Sequence, residues 1–206
     1  MTQLSGEDPP GVTPIAEEDL VDLIPTFIAT RSDLNIAEQA NIEEAVRWAF
    51  RRRSALPVEK LLTCAQLNDL HARMFGRVWR WAGKPRRRQT NLGVEPHRIP
   101  EDTKLLLDNV QYWHRNNTYS AVEIGVRLHH GLVFIHPYRN GNGRHTRLVA
   151  DLYMFAANES RFTWAGNSDL SVASNIRSEY LTCLRAADSG DFQGLIDFAT
   201  GGNSNK

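Results

Sequence analysis

Cysteine is scarce in this chain: only Cys64 and Cys183 occur in 206 residues, in separate helical patterns and without metal-ligand spacing. A disulfide framework is thereby excluded as the source of stability, and a reducing cytoplasm is the expected compartment. An excess of one charge is missing too, since 24 Lys and Arg balance 24 Asp and Glu. A protein whose main business is to coat nucleic acid or an anionic membrane is not built that way. No apolar run approaches the roughly 18 residues of a membrane span. The sequence also opens without a basic stretch followed by an apolar one. Internal repeats and low-complexity tracts are lacking. What remains is 41% hydrophobic and 23% charged residues, ordinary proportions for one globular domain.

Residues 1–13 hold Gly, Pro, Ser and acids with almost nothing to bury, and read as a mobile tail. Residues 14–200 read as a single domain and 201–206 as a second tail. Helical periodicity dominates. Asn35 with Glu38 suits a capping box, followed by an apolar face of Ile42, Ala45, Val46, Ala49 and Phe50. Leu62–Phe75 forms a second helix, stopped near Gly76. Gly76–Pro100, rich in Trp, Gly and Pro, reads as a loop with a short hairpin near Gln89–Ile99. Pro100 starts the next helix, with Leu106, Val110 and Trp113 as its stripe. Ser120 and Glu123 cap another, running to about Ile135. Further stripes are Leu148, Val149, Leu152, Phe155 and Ala156, then Ile176, Tyr180, Leu181, Leu184 and Ala187. A last short helix starts at Asp191. The fold class is all-α with one small β element.

The segment from His136 to Arg147 carries the chemistry. A loop with Asn140, Gly141 and Gly143 opens directly into a helix. Glycines let a ligand approach the backbone, and the N–H groups of a helix start form an anion-binding concavity. Arg144 and Arg147, three apart, share one side of that helix and suit a polyphosphate. His136, at the other end of the loop, has the ordinary pKa of a base near neutral pH. The Walker pattern is not met, because no Gly-Lys-Ser/Thr follows the glycines. The dinucleotide fingerprint fails as well, with Thr146 at its third Gly position. A metal cluster from His129, His130, His136 and His145 matches no common spacing. The basic run Arg77, Arg80, Lys84, Arg86, Arg87 and Arg88 reads mainly as a solvated face.

His136-Pro137-Tyr138-Arg139-Asn140-Gly141-Asn142-Gly143-Arg144-His145-Thr146-Arg147 resembles the signature of the Fic family, His-x-Phe-x-Asp/Glu-Gly-Asn-Gly-Arg-x-x-Arg. Tyr138 replaces the usual Phe. Asn140 replaces the acid that holds Mg²⁺ in that family. Trp81-Ala82-Gly83-Lys84-x-Arg86 resembles the stretch before the family's flap, the hairpin that docks the target side chain. The likeness spans roughly 36–200 and is greatest to the subfamily called mobile mystery protein B, associated with mobile elements, in a toxin-antitoxin-like arrangement with a small helix-turn-helix partner.

This resemblance implies a Fic-type helical fold and a protein adenylyltransferase that moves AMP from ATP, with Mg²⁺, to a Ser, Thr or Tyr hydroxyl. His136 would take the hydroxyl proton. Gly141, Asn142 and Gly143 would cradle the α- and β-phosphates, and Arg144 and Arg147 would grip the outer ones. Asn140 would stand at the metal position. A target protein would dock at about Gln89–Ile99. Many members restrain themselves through a Ser/Thr-x-x-x-Glu-Gly/Asn helix, matched here only in part by Thr13–Glu17. Two alternatives stay open: a phosphotransferase on the same fold, and a catalytically weak nucleotide- or protein-binding module.

Overall fold

The computed structural model describes residues 17–52, 56–167 and 175–202, the side chains of 17, 18, 166 and 167 excepted. The expected tail 1–13 and the Thr13–Glu17 match in its side chains lie outside the described residues. Nine α-helices are found among the described residues: α1 (Arg31–Arg52), α2 (Val58–Leu61), α3 (Cys64–Phe75), α4 (Ile99–Asn116), α5 (Ala121–Ile135), α6 (Asn142–Ala156), α7 (Trp164–Asn167), α8 (Asn175–Asp188) and α9 (Gln193–Thr200). The all-α expectation holds.

α5 is the hub, because its apolar residues occur on every side and a helix of that kind must be covered all round. Leu128, Leu132 and Val126 are fully buried in it. α4 and α6 flank it, and α9 closes a third side. α1 packs on α3 alongside, and α8 pairs with α9.

Side-chain caps set several of the helix starts. The Ser120 hydroxyl accepts from the Glu123 N–H at 3.1 Å, as the sequence suggests. The Glu123 carboxylate turns to Arg127 instead of back to the cap. Thr63 caps α3 by accepting from the Gln66 N–H at 3.2 Å. For α1 the sequence reading is one turn late. Thr30 and Asp33 cap each other reciprocally, with the Asp33 N–H donating to Thr30 Oγ1 at 3.1 Å and the Thr30 N–H to Asp33 Oδ2 at 2.9 Å. Glu38 is therefore well inside the helix and buried. α9 starts at Gln193 because Asp191 Oδ1 accepts the Gln193 N–H at 3.2 Å and so serves as a cap.

Residues 89–99 build no strand ladder. The one β-bridge among the described residues pairs Leu23 with Trp79. The donors of the expected hairpin are used differently: the Val94 N–H donates to the Ile135 carbonyl at 3.3 Å. Pro96, which has no N–H, opens a 3₁₀ turn (Pro96–Arg98) that runs into α4. The segment is thus an irregular flap edge lying along the end of α5.

Four histidines are buried, His71, His129, His136 and His145, and burial holds the first three neutral. Burial pushes the ring pKa of His71 and His129 well below the ordinary value, and that of His136 down to about 4. His71 is fixed as its Nε2–H tautomer. Its Nδ1 accepts from the Gly83 N–H at 2.9 Å and its Nε2 faces the Asn140 carbonyl at 3.1 Å. Burial moves Asp151 the other way, up to about 7. Below pH 6.5 the unfolded chain takes up three histidine protons that the native state refuses, so these rings stabilise above 6.5 and that stability is lost as pH falls toward their folded values. Asp151 contributes oppositely between pH 7 and 4, leaving an excess of proton uptake by the unfolded chain. Each net proton changes stability by about 1.4 kcal/mol per pH unit. The thermal midpoint is therefore expected to fall steadily from pH 7 to pH 5. A flat or rising profile over that range contradicts neutral buried histidines.

Candidate active site

The chain leaves α5 through a left-handed residue, His136, with φ 53°. It re-enters a helix through another, Gly141, with φ 78°. A Cβ on Gly141 would run into the Phe75 ring, so both conformation and space require glycine there. Between the two turns the loop closes on itself. Asn142 Oδ1 accepts from the Tyr138 N–H at 2.9 Å, and Asn142 Nδ2 donates to the Tyr138 carbonyl at 2.8 Å. The Tyr138 ring stacks on His71 at 3.7 Å, and its hydroxyl donates to Asn68 Oδ1 at 2.9 Å. Tyrosine in place of phenylalanine thus costs no unsatisfied hydroxyl. This ring is the buried anchor of the loop.

All seven sequence-selected residues line one cavity of about 1060 Å³. They do not all present what the sequence suggests. The Asn142 side chain is 2% exposed and turned into the loop, so only its backbone faces a ligand. Asn140 Oδ1 accepts from the Gly141 N–H at 2.6 Å. That leaves the N–H groups of Asn142, Gly143 and Arg144, which have no partner within α6 because its first backbone bond runs from His145 to Gly141. Three amides at the positive end of a 15-residue helix make an anion seat.

The two arginines differ in their support. Arg144 Nη1 donates to Glu38 Oε2 at 2.6 Å, while Glu38 Oε1 accepts from Trp79 Nε1 at 2.7 Å. Glu38 is 4% exposed, so this carboxylate holds one edge of the guanidinium and leaves the rest toward the cavity. Arg147 lies beside Tyr180 of α8, its guanidinium carbon 5.9 Å from the ring centroid. A basic residue pair three apart on one helix therefore faces the anion seat from one side.

His136 lines the same cavity. Its Nδ1 is 3.4 Å from the Val133 carbonyl, which favours the tautomer with Nδ1–H and leaves the lone pair on Nε2. Burial is the main cause of its low pKa, with the Arg86 cation adding to it. The ring is neutral at pH 7, and with a pKa below the near-neutral value expected from sequence it is a weaker base than a free imidazole.

The donor set does not fit a resident Mg²⁺. Position 140 offers a neutral amide whose oxygen already accepts from Gly141, and no cluster of three His, Cys, Asp or Glu ligands occurs among the described residues. The histidines named in the sequence behave likewise: His129 bonds Tyr180 at 2.9 Å, His145 bonds the Leu67 carbonyl at 3.0 Å, and His130 pairs with Asp188 at 2.8 Å.

Sequence reasoning missed several groups. Glu38 is read there as a cap, whereas it fixes Arg144. Arg86 is read as part of a solvated basic run, whereas it is 2% exposed and bonds the His136 carbonyl at 2.8 Å. The rest of that run behaves as expected for a surface: Arg77 pairs with Glu44, and Arg88 lies 3.9 Å from Asp19. The α8 wall, including Arg177 and Tyr180, carries no sequence signal beyond its apolar stripe.

Comparison with known proteins agrees with this geometry. The model of the Fic/DOC family matches residues 61–154. The chain is 29% identical over 155 residues to a protein adenylyltransferase Fic of Drosophila grimshawi, and 30% identical over 156 residues to that of Drosophila willistoni. Each match covers 73% of this chain and 30% of the fly protein, so the chain spans under a third of the length of these relatives. A fragment of Fic-1 from C. elegans superposes with a TM-score of 0.66 at 22% identity, covering 85% of this chain and 51% of the other. The N-terminal Fic domain of a Bartonella quintana protein, solved with bound ADP, superposes with a TM-score of 0.61 at 19% identity, covering 85% and 87%. Among the described residues no helix is long and apolar enough to cross a membrane. The left-handed histidine turn, the glycine-opened helix and the two arginines all lie within residues 61–154, the stretch that matches the Fic/DOC family model.

Proposed function

We propose that this chain transfers AMP from ATP to a hydroxyl of a protein. The observation that carries the reading is that a neutral imidazole and an anion seat line one cavity. The curated relatives named as adenylyltransferases support it. His136 Nε2 takes the proton of the attacking hydroxyl. The hydroxyl oxygen bonds to the α-phosphorus, the bond to the β-phosphate oxygen breaks, and pyrophosphate leaves with its electron pair. The amides of Asn142, Gly143 and Arg144 meet the charge that develops on the phosphate oxygens, a role commonly worth ~10²–10³ in rate. Arg144, held by Glu38, and Arg147 grip the departing phosphates. A divalent cation enters as counter-ion of the ATP phosphates, since the neutral amide of Asn140 does not fit a resident one. The target segment lies along the edge formed by residues 89–95, next to His136.

The decisive test uses ATP labelled at the α- or the γ-phosphate, incubated with the protein and a lysate. Protein-bound α label is expected. Label from γ alone shows phosphoryl transfer, and no label from either shows a binding module. His136→Ala should abolish labelling, a loss of ~10²–10⁴-fold, with ATP affinity by calorimetry nearly unchanged. Labelling at the wild-type rate removes His136 as the base.

Asn140 has its own test. Millimolar Mg²⁺ without nucleotide should leave the thermal midpoint of the wild-type protein unchanged, whereas Asn140→Asp should gain a Mg²⁺-dependent rise. A rise in the wild type on Mg²⁺ alone would show that a resident metal site exists after all.

A further inference from the structure

We propose that Arg86 is a positioning residue that locks the flap edge and the turn carrying His136 into one unit, so that target docking and base alignment are set together. The inference rests on the reading of His136 as the base.

The Arg86 side chain is 2% exposed, and no carboxylate among the described residues pairs with it. Its guanidinium is satisfied by carbonyls alone. Nε donates to the His136 carbonyl at 2.8 Å, Nη1 to that of Arg88 at 3.0 Å, and Nη2 to those of Val94 and, at 3.5 Å, Ile135. Two of these acceptors belong to the end of α5 and the base itself, and two belong to the flap edge. The Arg86 N–H adds a bond to the Pro137 carbonyl at 2.8 Å, and the Val94 N–H one to Ile135 at 3.3 Å. A buried cation without a counter-ion is costly and persists where its directed donors have a use. A fork of five N–H groups can span two chain segments; a lysine ammonium, whose three donors radiate from one atom, cannot.

The flap meets the base on its other side as well. Gly93 has φ 93°, and a Cβ there would overlap the His136 Cβ and lie 2.7 Å from Arg86 Nη2 and 2.8 Å from the Ile135 carbonyl. The flap backbone therefore rests directly on His136. That histidine is a non-glycine residue held in the left-handed region, a conformation that persists only when its surroundings over-determine it. Arg86 supplies that constraint, because it holds the carbonyl of the strained residue. By contrast, the anion seat at the start of α6 depends on the Asn142 bracket and not on Arg86. The clamp should thus affect transfer and flap order while sparing nucleotide binding.

Two variants separate this role from a general structural one. Arg86→Lys keeps the charge and loses the fork. Gly93→Ala lies in the exposed flap and retains the arginine fork, but its Cβ crowds the His136 Cβ and Arg86 Nη2 and so lifts the edge from His136. Both are read by hydrogen–deuterium exchange, calorimetry with ATP, and protein labelling from α-labelled ATP. Both should speed exchange over residues 88–95 about tenfold or more and cut labelling about 10²-fold, the usual consequence of a 1 Å misplacement. Exchange over α6 and the ATP dissociation constant should stay within about threefold of wild type. Exchange over 88–95 at the wild-type rate in both variants overturns the clamp. So does an equal rise across α5 and α6, which marks Arg86 as an ordinary core residue. If wild-type protein takes no label from ATP, the transferase reading fails, and the exchange and calorimetry results decide the clamp without it.

Discussion

Everything functional in this molecule hangs on the closure of the loop between α5 and α6. His136 and Gly141 turn the chain through left-handed conformations, and the Asn142 amide ties the two sides of Tyr138 together at 2.8 and 2.9 Å. Because a short loop must reverse a helix while keeping its polar groups satisfied, few arrangements are available. This one directs the amides at the start of α6 into the cavity. It also sets the His136 imidazole in the wall of the same cavity. Loosening the bracket would displace the base and the anion seat together.

The loop is held from outside by residues remote in sequence. His71 in α3 carries a fixed tautomer between the Gly83 N–H and the Asn140 carbonyl, so it welds the Trp81–Gly83 turn to the anion loop. Glu38 in α1 holds Arg144 and Trp79 at once. Arg86 gathers carbonyls from both sides of His136. Each is a buried polar group with its partners in place, which rigidifies a site more than an apolar contact would. The groups given roles in the proposed transfer come from one stretch of sequence, yet their geometry is set by three others.

Much of the fold was legible in the sequence, because it follows from local rules. The Ser120 cap, the stop at Gly76 and most of the stripes of α4, α6 and α8 depend on neighbours within a turn or two, whereas Phe155, expected in the α6 stripe, is 45% exposed and Leu107 is the buried α4 residue in place of Leu106. The loop motif was legible for the same reason: glycine spacing and a helix start are local facts. What escaped the sequence depends on which distant group takes up a polar side chain. Asn35 and Glu38 fit a capping box as well as Thr30 and Asp33 do, and only the burial of Glu38 against Trp79 decides between them. Arg86 looks like its solvated neighbours in composition and differs from them only in the carbonyls it meets. The flap hairpin was expected from turn residues, but its donors are drawn to the end of α5. Asn140 sits where the resemblance puts a metal ligand, and its oxygen is used by the adjacent N–H.

The central claim is that a nucleotide places its phosphates at the start of α6 within reach of His136. Titration of isotope-labelled protein with a non-hydrolysable ATP analogue, followed by amide and imidazole NMR, tests it directly. The largest amide shifts are expected at Asn142, Gly143 and Arg144, with the His136 ring moving in the same saturable transition. Saturable binding that leaves those three amides and the His136 ring unmoved would contradict it.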